Sequence, residues 1–157
     1  MTRSRVLVSL RVDAPPARAF AVFTNEIGEW WQPNGLFRFT DRTGTRMAFE
    51  PEPPDHLVEI GDDGERFEIG PVLDWSPPTR LAFGWRQASF PADRSTEVAV
   101  RFDAVPDGTR VTVEHFGWDE IPQDHAARHG FPLGPFQQRA AEWWQELLRS
   151  LRHQLGD

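Results

Sequence analysis

Three successive strand-like segments share one apolar face, and this pattern constrains the fold more than any other feature of the chain. Apolar side chains alternate with polar or small ones over residues 81–85, 98–102 and 111–115. Such period-two alternation is typical of an antiparallel sheet that has one buried face and one face in water. The sheet therefore needs a second apolar surface to cover it.

A long amphipathic helix at the end of the chain can supply that surface. Pro135 is suited to a first helical turn, and Gly156 is placed as a C-terminal cap. Between them runs one apolar stripe at helical spacing. Its members are Phe136, Ala140, Trp143, Trp144, Leu147, Leu151 and Leu155. We therefore predict an α+β domain in which the sheet wraps around this helix.

The remaining sequence predicts a strand, a helix and several short strands. Residues 5–12 alternate like a half-buried strand, and apolar residues recur at helical spacing over 16–28. Proline and glycine then punctuate the chain at short intervals, which is typical of short strands joined by turns. The 157 residues contain no repeat and no linker-like tract. Residues 1–157 are therefore expected to form a single domain.

The composition excludes several kinds of catalytic and metal site. The chain contains no cysteine and no tyrosine, and its 17 basic residues are all arginine. Thiolate nucleophiles, cysteine metal sites and lysine Schiff bases are therefore excluded. The sequence also contains neither a Gly-x-Ser-x-Gly elbow nor a glycine-rich phosphate loop. We predict no cofactor, no metal site and no assigned catalytic residue.

The charge and the apolar runs argue against two further classes of partner. A formal net charge of −7 disfavours binding to nucleic acid or to an anionic membrane surface. The longest apolar runs have about five residues, whereas a membrane span needs about 20. The N-terminus leads into a strand-like segment without the apolar core of a signal peptide. We therefore predict a cytoplasmic protein.

One stretch of sequence carries a family resemblance. Residues 70–85, with Pro-Pro, Thr-Arg-Leu and an aromatic strand ending in Trp, resemble the signature of the START-like (SRPBCC) superfamily. The branch it is most similar to is that of the activator of heat-shock protein 90 ATPase homologue-like proteins. Residues 14–16, 30–31, 96–98 and 109–115 support the resemblance.

The resemblance implies a fold and a choice of functions. The implied fold is the helix grip, a curved antiparallel sheet around a long C-terminal helix with a cavity for hydrophobic ligands between them. The expected function is binding of a small hydrophobic or aromatic molecule by a domain that is non-enzymatic or weakly catalytic. One alternative is a co-chaperone-like module that stimulates a heat-shock protein 90 type ATPase. Another is a polyketide cyclase-like or hydrolase-like enzyme. Exposed strand edges would also allow a homodimer.

An aromatic set at inward positions is the candidate ligand-binding surface. Aromatic rings provide a large apolar contact area, and Trp adds one N–H donor. The predicted ligand-binding residues are Phe39, Phe49, Trp75, Trp85, Phe102, His115, Trp118, Trp143 and Trp144. The alternative is that these rings simply fill the core. Trp143 and Trp144 are about 100° apart on a helix, so they should face different neighbours.

His115 is the predicted polar group of this set. Strand parity places it on the apolar face with Val111 and Val113. An apolar site disfavours the charged imidazole, and a neutral ring offers one donor and one acceptor to a ligand. The alternative is a core histidine whose nitrogens are bonded within the protein.

Two other groups of polar residues could be functional or could simply be exposed to solvent. His125 and His129 have the spacing of two metal ligands on a helix, but no Glu follows the first histidine and Gly130 comes directly after the second. The acidic stretch 50–68 could bind a cation or a basic partner, although such charge runs are usually solvated faces.

A catalytic group would have to come from neighbouring strands. The candidates are Asp74, Arg86 and Glu114. Parity places Arg86 and Glu114 on the outer face, where a surface ion pair is expected. The face of Asp74 is left open, because both Val72 and Trp75 are apolar.

Overall fold

A computed structural model describes most of the chain. The described residues are 5–31, 46–50, 55–61, 63–85, 96–117 and 133–156. They form seven strands and three helices. The elements are β1 (Arg5–Val12), α1 (Pro16–Asn25), α2 (Ile27–Trp30), β2 (Arg46–Glu50), β3 (His56–Ile60), β4 (Arg66–Ser76), β5 (Arg80–Trp85), β6 (Thr96–Val105), β7 (Gly108–Phe116) and α3 (Leu133–Gln154).

The strands form one antiparallel sheet in the order β1-β7-β6-β5-β4-β3-β2. The predicted inward residues of β5, β6 and β7 are all buried. Pairing of Phe83 with Val98 and of Val100 with Val113 aligns them into continuous rows. The curved sheet and the C-terminal helix confirm the predicted α+β helix-grip fold.

Helix α3 covers the apolar face of the sheet. Its predicted stripe is buried, and Leu148 joins it. The helix lies closest to β1 and also contacts α1 and α2. Gly156 has a φ of +102°, as expected of a residue that ends a helix in the left-handed region. Among the described residues, no helix is both long and apolar enough to cross a membrane.

A bulge in β4 decides which way its side chains point. Val72 pairs with Phe83, but Asp74 pairs with Ala82, so Leu73 is an additional residue in the ladder. Such an insertion shifts the alternation by one position. Trp75 therefore points inward, and Asp74 points outward. This places the aspartate whose face the sequence left open.

A pair of glycines allows the sheet to bend where β4 changes partners. The first half of β4 pairs with β3, and the second half pairs with β5. At the change, a Cβ atom on Gly70 would lie 1.9 Å from the carbonyl oxygen of Gly84. Only glycine permits so close an approach of two backbones.

The predicted first helix is divided into α1 and α2 at Glu26. The Trp30 indole returns across this break and donates to the carbonyl of Phe23 at 3.0 Å. Helix α2 lies close against β2, since a Cβ atom on Gly28 would be 2.9 Å from the Met47 carbonyl oxygen. Helices α1 and α2 thus form a corner, the α1–α2 corner, that packs against β2.

Candidate functional site

Five members of the predicted aromatic set lie deep between the sheet and α3. They are at most 2% exposed, and they are Trp85, Phe102, His115, Trp143 and Trp144. The Trp143 ring stacks on Trp85 with centroids 5.8 Å apart, and Trp85 lies 4.3 Å from the His115 ring. Trp31 places its edge against both helix tryptophans. Phe102 joins this group through Phe23 and Trp30, so that the rings form one continuous aromatic layer.

The two helix tryptophans contact different strands, as their helical spacing predicts. Trp143 stacks on Trp85 of β5, whereas Trp144 hydrogen-bonds to His115 of β7. The planes of the two indoles are inclined at 78° to each other. One helix therefore anchors itself to two separate strands of the sheet.

Hydrogen bonds within the protein engage both nitrogens of His115. Trp144 Nε1 donates to His115 Nδ1 at 3.1 Å, and Thr96 Oγ1 lies 2.8 Å from His115 Nε2. Thr96 uses its own hydroxyl proton to donate to the Trp85 carbonyl at 2.9 Å. The threonine oxygen must therefore accept from His115, which fixes the neutral tautomer protonated at Nε2.

Burial keeps this histidine neutral. His115 is fully buried, and loss of hydration lowers its pKa well below the usual 6.5. Protonation of Nδ1 would also set two donors against each other, because Trp144 already donates there. The group therefore has the neutral state that the sequence predicts, and it uses both nitrogens to join β6, β7 and α3.

The other two described members of the aromatic set are Phe49 and Trp75, and both are only half-buried. Their rings meet edge to face with centroids 5.5 Å apart. Trp75 also contacts Phe20, which in turn contacts Phe102 in the core. The accessible rings are thus continuous with the buried aromatic layer. Predicted residues Phe39 and Trp118 lie outside the described residues.

Phe49 and Trp75 line an open pocket of about 460 Å³ between the α1–α2 corner and β2. The rest of its lining includes the charged side chains of Glu26, Glu29 and Arg46, beside the polar Thr24 and Asn25 and the uncharged Gly28, Met47 and Ala48. This volume lies within the ~300–1,000 Å³ typical of small-molecule sites. The pocket combines an apolar aromatic surface with both signs of charge.

The end of α3 reaches this pocket. Gln154 Nε2 donates to Glu26 Oε1 at 2.8 Å and to Glu29 Oε2 at 3.1 Å. One turn earlier, the Ser150 hydroxyl donates to the Trp30 carbonyl at 2.6 Å. These bonds fix the helix end against the α1–α2 corner, so that two carboxylates converge on one amide nitrogen.

Asp74 and the buried His115 lie on opposite faces of the sheet. Asp74 lies on the outer face, where Ser76 donates to it at 2.6 Å and Arg80 forms an ion pair with it. The hydrogen bond from Ser76, and then Arg80, lower the pKa of Asp74. His115 points to the inner face, so these two groups do not meet.

Glu114 forms ion pairs on the outer face, as its parity predicts. Its carboxylate lies 2.9 Å from Arg5 Nη1 and 3.4 Å from Arg101 Nη1. The predicted partner Arg86 lies outside the described residues. Exposed pairs of this kind contribute little to stability or chemistry.

Two carboxylates in the described part of the acidic stretch have basic side chains beside them. Glu50 accepts a 2.8 Å hydrogen bond from Arg66, which lowers the pKa of Glu50. His56 lies 2.7 Å from Asp55. Among the described residues, no group of three or more His, Asp or Glu could hold a metal ion. His125 and His129 lie outside the described part of the chain.

The family assignment comes from comparison with protein-family models. Residues 13–156 match the model described as Activator of Hsp90 ATPase homolog 1-like protein. The chain belongs to this family. The match spans both the sheet and α3, and it confirms the START-like resemblance of residues 70–85. Comparison with curated proteins finds no match.

Solved structures share the architecture of this Hsp90-ATPase-activator-like domain. The self-sacrificing resistance protein CalC from Micromonospora echinospora is 26% identical, with a TM-score of 0.64 over 97% of this chain and 94% of that one. Protein MLL2253 from Mesorhizobium loti is 21% identical, with a TM-score of 0.63 over 97% and 96%. An HSP90 activator from Plasmodium falciparum is 18% identical, with a TM-score of 0.60 over 97% and 96%.

Sequence reasoning missed the polar part of the pocket in this Hsp90-ATPase-activator-like domain. Glu26 and Glu29 are only three residues apart, on either side of the start of α2, but nothing local links them to Phe49 or to Gln154. Thr96 was likewise not expected as a partner of His115. In both cases the interacting residues are far apart in the chain.

Proposed function

We propose that this domain binds a small apolar or aromatic molecule in the pocket between the α1–α2 corner and β2. The observation that supports this proposal most directly is the position of Phe49 and Trp75. They are the described members of the predicted aromatic set that keep accessible ring surface, and both line the pocket. Burial of a ligand against these rings would supply the binding free energy, at about 25 cal/mol per Å² before ordering costs.

The buried aromatic layer has a supporting role in this proposal. Of its members, Phe102 connects to the accessible rings, through Phe20 and Trp75. The hydrogen bonds of His115 fix β6, β7 and α3 to one another, and a rigid support reduces the conformational entropy that is lost when a ligand binds. The remaining predicted residues, Phe39 and Trp118, are proposed to belong to the same ligand-binding surface.

A fluorescence titration with the neutral probe N-phenyl-1-naphthylamine tests the proposal. We expect saturable binding that Phe49→Ala weakens about tenfold, because a good aromatic contact is worth about 1–1.5 kcal/mol beyond burial. Ala48→Trp, which places a bulky side chain in the pocket lining, should abolish binding. Leu73→Ala is the matched control, since Leu73 is 53% exposed and does not line the pocket.

The affinities of the variants for the probe decide whether the proposal holds. Unchanged binding in both Phe49→Ala and Ala48→Trp would place the ligand elsewhere and overturn the proposal. Circular dichroism of each variant confirms that the fold is retained. Absence of saturable binding in the unaltered protein would also count against the pocket.

A second candidate function is stimulation of a heat-shock protein 90 type ATPase. The family description favours a chaperone partner, and the described surface carries two exposed leucines, Leu7 and Leu73. An exposed apolar residue flanked by charged residues can form the centre of a protein interface. ATPase rates with and without a stoichiometric excess of this protein decide the matter. Stimulation that Leu7→Glu and Leu73→Glu remove, and that Arg149→Glu leaves intact, would support it.

A further inference from the structure

We infer that the pocket selects ligands that carry a protonated amine next to their aromatic group. The inference rests on the proposed function, because it concerns the same pocket, but it depends on a different set of side chains. The aromatic rings explain why an apolar molecule would bind. The charged residues around those rings determine which apolar molecules bind best.

Two carboxylates of the pocket already converge on a single nitrogen donor. Glu26 and Glu29 both accept hydrogen bonds from Nε2 of Gln154, at 2.8 and 3.1 Å. A primary ammonium has three N–H donors and a positive charge. It can therefore donate to the same acceptors, and it adds a full positive charge that the neutral Gln154 amide lacks.

The rest of the local charge also favours a cation. Helix α1 ends at Asn25 in the pocket lining, and the C-terminal end of a helix carries negative partial charge. Arg46 is the cation among the lining residues, against Glu26 and Glu29. The lining therefore keeps a net charge of −1, within a chain whose formal net charge is −7.

The aromatic surface lies in the same pocket as the carboxylates. Phe49 and Trp75 meet edge to face, so their rings present differently oriented surfaces. A cation near the face of a tryptophan ring gains further electrostatic stabilisation. An aryl-alkyl amine would satisfy both parts of the lining, with its ring on Phe49 and Trp75 and its ammonium at Glu26 and Glu29.

A matched pair of probes isolates the charge. Tryptamine and indole-3-ethanol share one ring system and one chain length, and they differ in an ammonium against a hydroxyl. By isothermal titration calorimetry at low ionic strength, we expect tryptamine to bind about tenfold more tightly, since two partly exposed carboxylates contribute. At about 1 M salt, where the Debye length is about 3 Å, the preference should shrink.

The glutamate variants identify the source of the preference. The isosteric double variant Glu26→Gln, Glu29→Gln should bring tryptamine down to the affinity of indole-3-ethanol and leave the alcohol unchanged. Glu142→Gln is the matched control, because it removes the same charge from an exposed position on α3 outside the pocket lining. It should retain the tenfold preference.

The results separate this inference from the proposed function. Equal affinity for the two probes overturns the charge preference and leaves the aromatic pocket standing. A preference that survives in the double glutamine variant also overturns the inference, because other groups then cause it. If neither indole binds while N-phenyl-1-naphthylamine does, the amine preference is wrong. If no probe binds, the proposed pocket fails as well.

Discussion

His115 makes the stability of this domain depend on pH in a predictable direction. Its pKa in the folded state lies well below 6.5, because burial disfavours the charged ring. The described groups around it, Thr96, Trp85 and Trp144, carry no charge that could offset this effect. In the unfolded chain the ring is hydrated, and its pKa returns to about 6.5.

The size of the effect follows from proton linkage. Between the folded and the unfolded pKa, the unfolded state binds one more proton than the folded state does. The contribution of His115 to the free energy of unfolding is therefore complete above about pH 6.5. It is lost as the pH falls toward the folded-state pKa, at about 1.4 kcal/mol per pH unit. From pH 6.5 down to pH 5 the loss is at most about 2 kcal/mol, since it stops growing once the pH reaches the folded-state pKa.

Urea unfolding of the unaltered protein and of His115→Phe measures this loss. At neutral pH the variant should be less stable by about 1–3 kcal/mol, since Trp144 loses its acceptor in a buried place. The deficit should shrink, by up to about 2 kcal/mol, as the pH falls to 5, because the phenyl ring cannot be protonated. The two proteins share every other ionisable group, so the effects of those groups cancel in the difference.

A second variant tests whether altered packing alone could cause the change in stability with pH. His115→Gln keeps polar atoms at the site but does not titrate, and it should show the same change of deficit with pH. A difference in the free energy of unfolding that stays constant between pH 7 and pH 5 in both variants would refute the reasoning.

Two further predictions concern the fold. Gly70→Ala should lower the free energy of unfolding by about 3 kcal/mol or more, because the added Cβ meets the Gly84 carbonyl at 1.9 Å. Gly64→Ala lies in a turn with open space around it and should cost only about 1 kcal/mol. Equal losses for the two variants in urea unfolding would contradict the close contact between the backbones of Gly70 and Gly84. Leu148→Ala should cost about 2–5 kcal/mol because its side chain is fully buried, whereas exposed Arg149→Ala should stay within about 0.5 kcal/mol. A thermal melt in which the two α3 variants match would show that the helix does not pack as described.

Local patterns were enough to predict the fold class and the inward residues. The alternation in 81–85, 98–102 and 111–115 correctly identified the buried face, because side-chain direction in a regular strand follows from position alone. The stripe of α3 was predicted for the same reason, at the helical period. The pattern failed in β4, where the bulge at Leu73 interrupts the alternation and decides the face of Asp74.

The sequence by itself determined that a sheet with one aromatic, buried face and one face in water would pack on a C-terminal helix, because the strand and helix periods are properties of neighbouring residues. Only the tertiary structure decided which polar groups meet. Gln154 reaches Glu26 across 128 positions, and Trp144 reaches His115 across 29. Such contacts depend on strand register and helix placement, which are set by packing of the whole domain and leave no local trace in the chain.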